Sequence, residues 1–176
     1  MSLKTSSSNA SPQTAFTRSS QKPPAFMIPF MKMPLILYRL GLGRLLGKRF
    51  MRLTHVGRRS GKVYHTVLVA LHFDKATHEI FAFSPWSESN WYRNIQAAPA
   101  LEVETGDFRS GSIRYAPIQR SLTAEEIAGA IIAFRDLYPI FSRMVARIPG
   151  WKIDSTYEEF LELARTLRGV ACGPKD

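Results

Sequence analysis

From Val63 to Phe73 the chain reads as one long strand that is apolar on both sides: His65, Val67, Val69, Leu71 and Phe73 alternate with Tyr64, Thr66, Leu68, Ala70 and His72. It is preceded by a short apolar stretch beginning at Leu53 and by the turn Gly57-Arg58-Arg59-Ser60-Gly61-Lys62. Two strands joined by so short a turn pair antiparallel. A Walker loop or a Rossmann turn needs other glycine spacing and a following helix, so neither is present. The two glycines let the backbone bend sharply beside three cations, a concavity suited to phosphate or carboxylate. Taken alone, the same turn is more simply a basic surface hairpin.

The later elements repeat this pattern. Asp74 to Thr77 is a turn and Glu79 to Phe83 a returning strand. Ser87 as N-cap and Glu88 open a short helix that carries Trp91 and Ile95 inward and is closed by Pro99. Leu101 and Val103 alternate with Glu102 and Glu104, which places both glutamates on a solvated face. Gly106-Asp107 turns the chain into a hairpin partner, Phe108 to Tyr115, with Arg109 and Arg114 at its surface. Thr123 to Glu126 is a capping box before a helix whose stripe is Ile127, Ala130, Ile131 and Phe134, ended or redirected by Tyr138-Pro139. Ser155 to Glu158 reads as a second box, before Phe160, Leu161, Ala164 and Leu167. A last strand runs from Gly169 to Cys172. The expected fold is α+β, a mainly antiparallel, partly open β-barrel of about six strands with helices packed outside.

Charge divides the 176 residues unevenly: residues 1–73 hold 12 Lys or Arg and no acid, whereas the other 103 hold 12 cations and 14 acids. The whole net charge of +10 therefore belongs to the first part, which suits an anionic partner: a membrane surface, nucleic acid or a phosphorylated cofactor. Residues 1–24, with ten Ser or Thr in the first twenty, are expected to be disordered. Residues 25–52 form an amphipathic basic helical segment and 53–176 the barrel domain. A helix from Leu35 to Phe50 sets Leu35, Leu42, Leu46 and Phe50 opposite Arg44, Lys48 and Arg52, although Gly41, Gly43 and Gly47 weaken it. It either covers the barrel or rests on an anionic membrane; Pro29, Lys32, Pro34 and Arg39 break any run long enough to span one. The expected location is cytoplasmic, at the inner face of the membrane if that contact forms. The single cysteine, Cys172, excludes an internal disulfide and reads as a small buried residue.

No catalytic constellation stands out. His55, His65, His72 and His78 lack metal-type spacing, no serine occupies a nucleophile elbow, and the paired glutamates face solvent. A bound cofactor that performs the chemistry is the natural resolution.

Leu53-Thr54-His55-Val56-Gly57-Arg58-Arg59-Ser60-Gly61-Lys62, followed by Ser89-Asn90-Trp91-Tyr92-Arg93-Asn94 and then Ala98-Pro99, resembles the deazaflavin-dependent nitroreductase family. The resemblance runs from about Tyr38 to the end of the chain. It implies a split β-barrel that uses reduced F420 as hydride donor for an electrophilic or unsaturated small molecule. By the same resemblance, Arg58, Arg59 and the amides of Ser60 and Gly61 hold the anionic part of the cofactor. His65, Thr66 and Val67, with Ser84, Pro85 and Trp86 opposite, line its ring; Trp91 and Asn94 contact it, Trp91 serving equally well as core; Tyr138 faces substrate. Two departures remove positive charge. Tyr64 and Val67 stand where many relatives have a basic residue and a proline, and Ser84 to Asn90 carries no cation. The alternative is a non-catalytic split-barrel protein that binds FMN, haem or an apolar ligand. No nucleic-acid partner and no metal are expected.

Overall fold

The computed structural model describes residues 28–84, 89–107, 111–147 and 149–175. The expected disordered stretch 1–24, Pro85, Trp86 and the Ser87 cap lie outside them. The strands are β1 (Phe50–Val56), β2 (Val63–Val69), β3 (His72–Phe73), β4 (Ile80–Ser84), β5 (Glu102–Asp107), β6 (Gly111–Tyr115), β7 (Pro117–Ser121) and β8 (Arg168–Pro174). The α-helices are α1 (Ile28–Arg39), α2 (Asn90–Ala97), α3 (Ala124–Leu137), α4 (Pro139–Arg147) and α5 (Tyr157–Thr166).

All strand pairs are antiparallel, and they form two four-stranded sheets in the orders β2-β1-β5-β6 and β3-β4-β8-β7. The first correction concerns Val63 to Phe73. The strand leaves the first sheet after Val69, where Ala70 donates to Arg49 O at 2.9 Å and Leu71 to Phe81 O at 2.9 Å, and re-enters the second sheet as β3. At the other edge β6 and β7 do the same across Ala116. The expected count of about six strands thus becomes eight among the described residues, because the Val63–Phe73 strand divides into β2 and β3 and because β7, beyond the expected end at Tyr115, continues β6 into the second sheet. No ladder joins the sheets among the described residues.

One core lies between the sheets, with Met51, Leu53 and Val103 facing Ile80, Ala82, Val170 and Cys172, and with Trp91 and Ile95 of α2 closing it. Burial pushes the Cys172 thiol up to about 12, so it is an inert packing residue at neutral pH. A second core covers the other face of the second sheet, where Leu71, Phe81 and Ala171 meet Ile127, Ile131 and Phe134 of α3 and Phe160 and Leu163 of α5. The capping box at Thr123 and Glu126 forms as read; the second forms one residue later than read, at Thr156 and Glu159.

The helix expected over Leu35 to Phe50 is absent. Helix α1 starts earlier and tolerates Pro29, which stands in a first turn that has no amide bond to lose. It stops in a Schellman cap: Gly41 takes φ +72°, its amide donates to Tyr38 O at 3.1 Å, and Leu42 donates to Leu37 O at 2.8 Å. The 3₁₀ turns of Gly43–Arg49 follow, broken at Gly47. Ile36, Leu40, Leu42 and Leu45 are exposed, so the apolar surface of this segment is not the one-sided stripe that a single helix would carry. No described helix is long and apolar enough to cross a membrane.

Glu104 gives a further correction: it is 1% exposed, not solvated. Arg52, Thr54, Glu102 and Glu104 share the face of the first sheet that α1 and the 3₁₀ turns cover, with Tyr38 donating to Phe50 O at 2.9 Å and the Arg52 guanidinium 5.9 Å from its ring. Arg52 lies 2.6 Å from Glu104 and 3.2 Å from Glu102, and Arg114 lies 3.1 Å from Glu104. Alternation correctly puts the glutamates opposite Val103, but it cannot say what covers that side.

Candidate functional site

The basic turn is built by the two glycines that bound it. Gly57 donates to Lys62 O and Gly61 to Gly57 O, both at 2.8 Å, and Gly61 has φ +65°, a conformation other side chains rarely adopt. A Cβ at Gly57 would stand 2.5 Å from the Tyr64 ring and 2.7 Å from Ser60 Oγ, so only glycine lets the ring lie against the turn. Tyr64 also stacks on His55, with ring centroids 6.0 Å apart, and its hydroxyl is 3.1 Å from Ser60 Oγ.

Helix α2 fixes one side of this turn through Asn94, which is 6% exposed. The Arg58 amide donates to Asn94 Oδ1 at 3.2 Å, and the Arg58 guanidinium donates to the same oxygen at 3.0 Å and to Asn90 Oδ1 at 3.4 Å. Asn94 Nδ2 lies 3.2 Å from His55 Nδ1, and His55 Nε2 lies 3.1 Å from Thr66 Oγ1. The two stretches that carry the family resemblance, about thirty residues apart in sequence, therefore meet in one hydrogen-bonded chain.

Of the residues singled out in the sequence, Arg58, Asn94 and Thr66 come together here. Arg59 is exposed and has no hydrogen-bond partner among the described residues, whereas the Gly61 amide, expected to face an anion, is committed to Gly57. His65 and Val67 do not share Thr66's side of β2. They pair with Thr54 and Arg52 on the opposite face, His65 Nδ1 lying 3.1 Å from Thr54 Oγ1. Ser84 is buried in β4 and contacts Ser89, the N-cap of α2. Trp91 packs in the core between the sheets. Tyr138 caps α3 at 5.5 Å from the Phe134 ring, with the Arg49 guanidinium 4.7 Å from its own ring. Arg49 adjoins the start of β1 and the turn follows its end, so the arginine that Tyr138 packs against belongs to the opposite end of that strand from the turn.

Sequence reasoning missed His55 and Asn90. Each occurs in the resembling motifs, but His55 is weighed there only as a metal ligand, and nothing local shows that α2 will lie against the turn.

His55 is neutral in this setting, since burial lowers its basicity. An unfolded histidine titrates at about 6.5 and the folded ring lower, so between those values the unfolded chain holds more protons. Stability from this group is complete above about pH 6.5 and is lost as pH falls through the folded value. His65 shifts in the same direction, also chiefly through burial. Melting temperature should therefore fall on acidification from pH 7.5 to 5.5, and His55→Gln should show a shallower fall; an unchanged slope would remove His55 as its source.

No protein-family model matches the chain, and no curated protein matches it. Among solved structures, it is similar to an F420-H2 dependent reductase (FDR-A) at 17% identity and a TM-score of 0.43, over 72% of this chain and 95% of that one. It is similar to a pyridoxamine 5'-phosphate oxidase-related, FMN binding protein from Nostoc punctiforme PCC 73102 at 17% identity and 0.48, over 87% and 83%. A conserved hypothetical protein from Mycobacterium tuberculosis gives 13% identity and 0.48, over 79% and 80%. At these identities, and with TM-scores below 0.5, the likenesses assign neither fold nor activity to this chain.

Proposed function

We propose that the protein is an F420H2-dependent oxidoreductase of split-barrel type, acting on an electrophilic or unsaturated small molecule. The observation that carries this reading is the Arg58-Asn94-His55-Thr66 chain, which joins the two stretches resembling the deazaflavin-dependent nitroreductases. The donor set fits an anionic cofactor with a planar head. Arg58, Arg59 and Lys62 are exposed in one short turn, and the free Arg59 guanidinium presents a planar donor fork to phosphate or carboxylate oxygens. Thr66 stands beside that turn on the strand that follows it. When bound, the reduced deazaflavin would supply the hydride; this chain's residues bind and orient it.

FMN is the second reading, favoured by the compactness of the cation cluster, which suits a single phosphate better than a long acidic tail. Calorimetric titration with F420 and with FMN decides between them. F420 binding that weakens with salt is expected, and Asn94→Ala should reduce affinity and also lower the melting temperature, because Asn94 joins the turn to α2. Tight FMN binding with none of F420 would move the assignment to a flavin, and binding of neither would end both readings.

A further inference from the structure

We infer that the Thr66 hydroxyl is a fixed hydrogen-bond donor that selects for ligands presenting an acceptor atom, a ring carbonyl oxygen or an unprotonated ring nitrogen, at β2. The inference rests on the cofactor reading above and adds to it the polarity of the contact.

The backbone N–H of Arg58 is a donor that admits no ambiguity. Because this amide donates to Asn94 at 3.2 Å, the atom receiving it is the side-chain oxygen, and the Arg58 guanidinium, which has donors only, reaches the same oxygen at 3.0 Å. Asn94 is thereby oriented with its NH₂ toward His55. That NH₂ has only hydrogens to offer, so His55 Nδ1, at 3.2 Å, accepts and carries no proton. The neutral ring then holds its proton on Nε2, which donates to Thr66 Oγ1 at 3.1 Å. Along the side-chain contacts every hydrogen bond then points the same way, from Arg58 to Thr66, against the Val56 carbonyl, which also faces the His55 ring and favours a proton there.

The Thr66 oxygen thus receives a bond from inside the protein, and its own hydrogen has no acceptor among the described residues. Thr66 is half-buried on the side of β2 that it shares with Tyr64, next to the turn. A group that faces it with an N–H of its own meets a hydrogen; a group that faces it with a lone pair makes a bond. Asn94 and His55 act here as positioning residues, since neither needs to touch the ligand to set the direction of the contact.

Two measurements test this. In the free protein, long-range ¹H–¹⁵N NMR of ¹⁵N-histidine-labelled material should show His55 as the Nε2–H tautomer, and Asn94→Leu should abolish that uniformity. An Nδ1–H form or an even mixture in the wild type overturns the donor assignment whether or not any cofactor binds. With F420 and FMN as probes, Thr66→Val should weaken whichever one binds the wild type by roughly 2- to 12-fold, the value of one net hydrogen bond. Thr66→Ser should bind within about 2-fold of wild type and melt like it, whereas Thr66→Val also takes the acceptor from His55 Nε2–H and should melt lower, so affinities are compared well below both transitions. Equal binding by Thr66→Val and wild type, or equal losses in the valine and serine variants, overturns the proposal. If neither cofactor binds the wild type while the tautomer is as stated, the ligand contact falls with the cofactor reading and only the internal polarity stands.

Discussion

Glu104→Ala is expected to lower the unfolding free energy by about 3–5 kcal/mol, as for removing one partner from a buried ion pair. Its carboxylate is fully enclosed and lies 2.6 Å from Arg52 and 3.1 Å from Arg114. Arg114 is half exposed and can turn to water; Arg52, with 13% of its side chain accessible, cannot. Glu102 stays 3.2 Å from Arg52 and should keep the loss toward the lower bound. The cluster already carries a cost, since Glu104 Oε2 and Arg52 Nε make no hydrogen bond and the 2.6 Å contact is ionic only. Replacing both members should therefore recover much of the loss, because what destabilises is the orphaned charge and not the missing attraction. Urea unfolding of the single and double variants measures this. A single-variant loss under about 1 kcal/mol would mean that solvent reaches Arg52.

The second large effect concerns the basic turn. Arg58→Ala/Arg59→Ala should weaken binding of the cofactor's anionic part by about 2–4 kcal/mol, roughly 30- to 1,000-fold, if each charged donor contributes about 1.5 kcal/mol or more. The two single variants should differ in kind. Arg59 has no hydrogen-bond partner among the described residues, so Arg59→Ala is expected to alter affinity alone. Arg58 also ties the turn to Asn90 and Asn94, so its removal should lower the melting temperature and loosen α2 as well. Calorimetry at low salt beside thermal melts separates the two effects. A double variant that binds like wild type would clear the turn of any part in the site.

What could be read in advance was what depends on neighbours in sequence. The capping box at Thr123 announces α3 because its reciprocal bonds span only four residues, and Arg58 and Asn94 were legible through their motifs. Gly41 carried its stop signal openly, yet a stripe drawn through Leu35 and Phe50 overrode it. What escaped depends on distant cover. Glu102 and Glu104 show ordinary alternation, and only the cover supplied by α1 and the 3₁₀ turns, more than fifty residues earlier, makes their side an interior. The spacing of His55 gives no metal reading, and its partner at 94 arrives with a helix whose placement is tertiary. The bend at Ala70 and Leu71 has no glycine or proline to mark it, and two-sided apolarity hides the point where the inside and outside of a strand exchange sheets.

The place of β8 in the second sheet bears on how the molecule is assembled in time. In the first sheet, β1 pairs with β2 and β5 with β6 across short turns, contacts that close small loops. The central ladder of the second sheet instead joins Ile80 to Cys172, ninety-two positions away, and β7 finds its partner only on the far side of that same strand. Loop-closure entropy must be overcome before those pairs return any enthalpy, and closing about ninety positions instead of about six costs roughly 2 kcal/mol more, so the two hairpins are expected to form ahead of the β4–β8 ladder by roughly one to two orders of magnitude. Until β8 arrives, Phe81 and the stripe of α3 have no completed sheet to bury them. The second sheet and the helices packed on it are thus expected to spend longest with their apolar surface open to water, with β4–β8 pairing as the expected slow step.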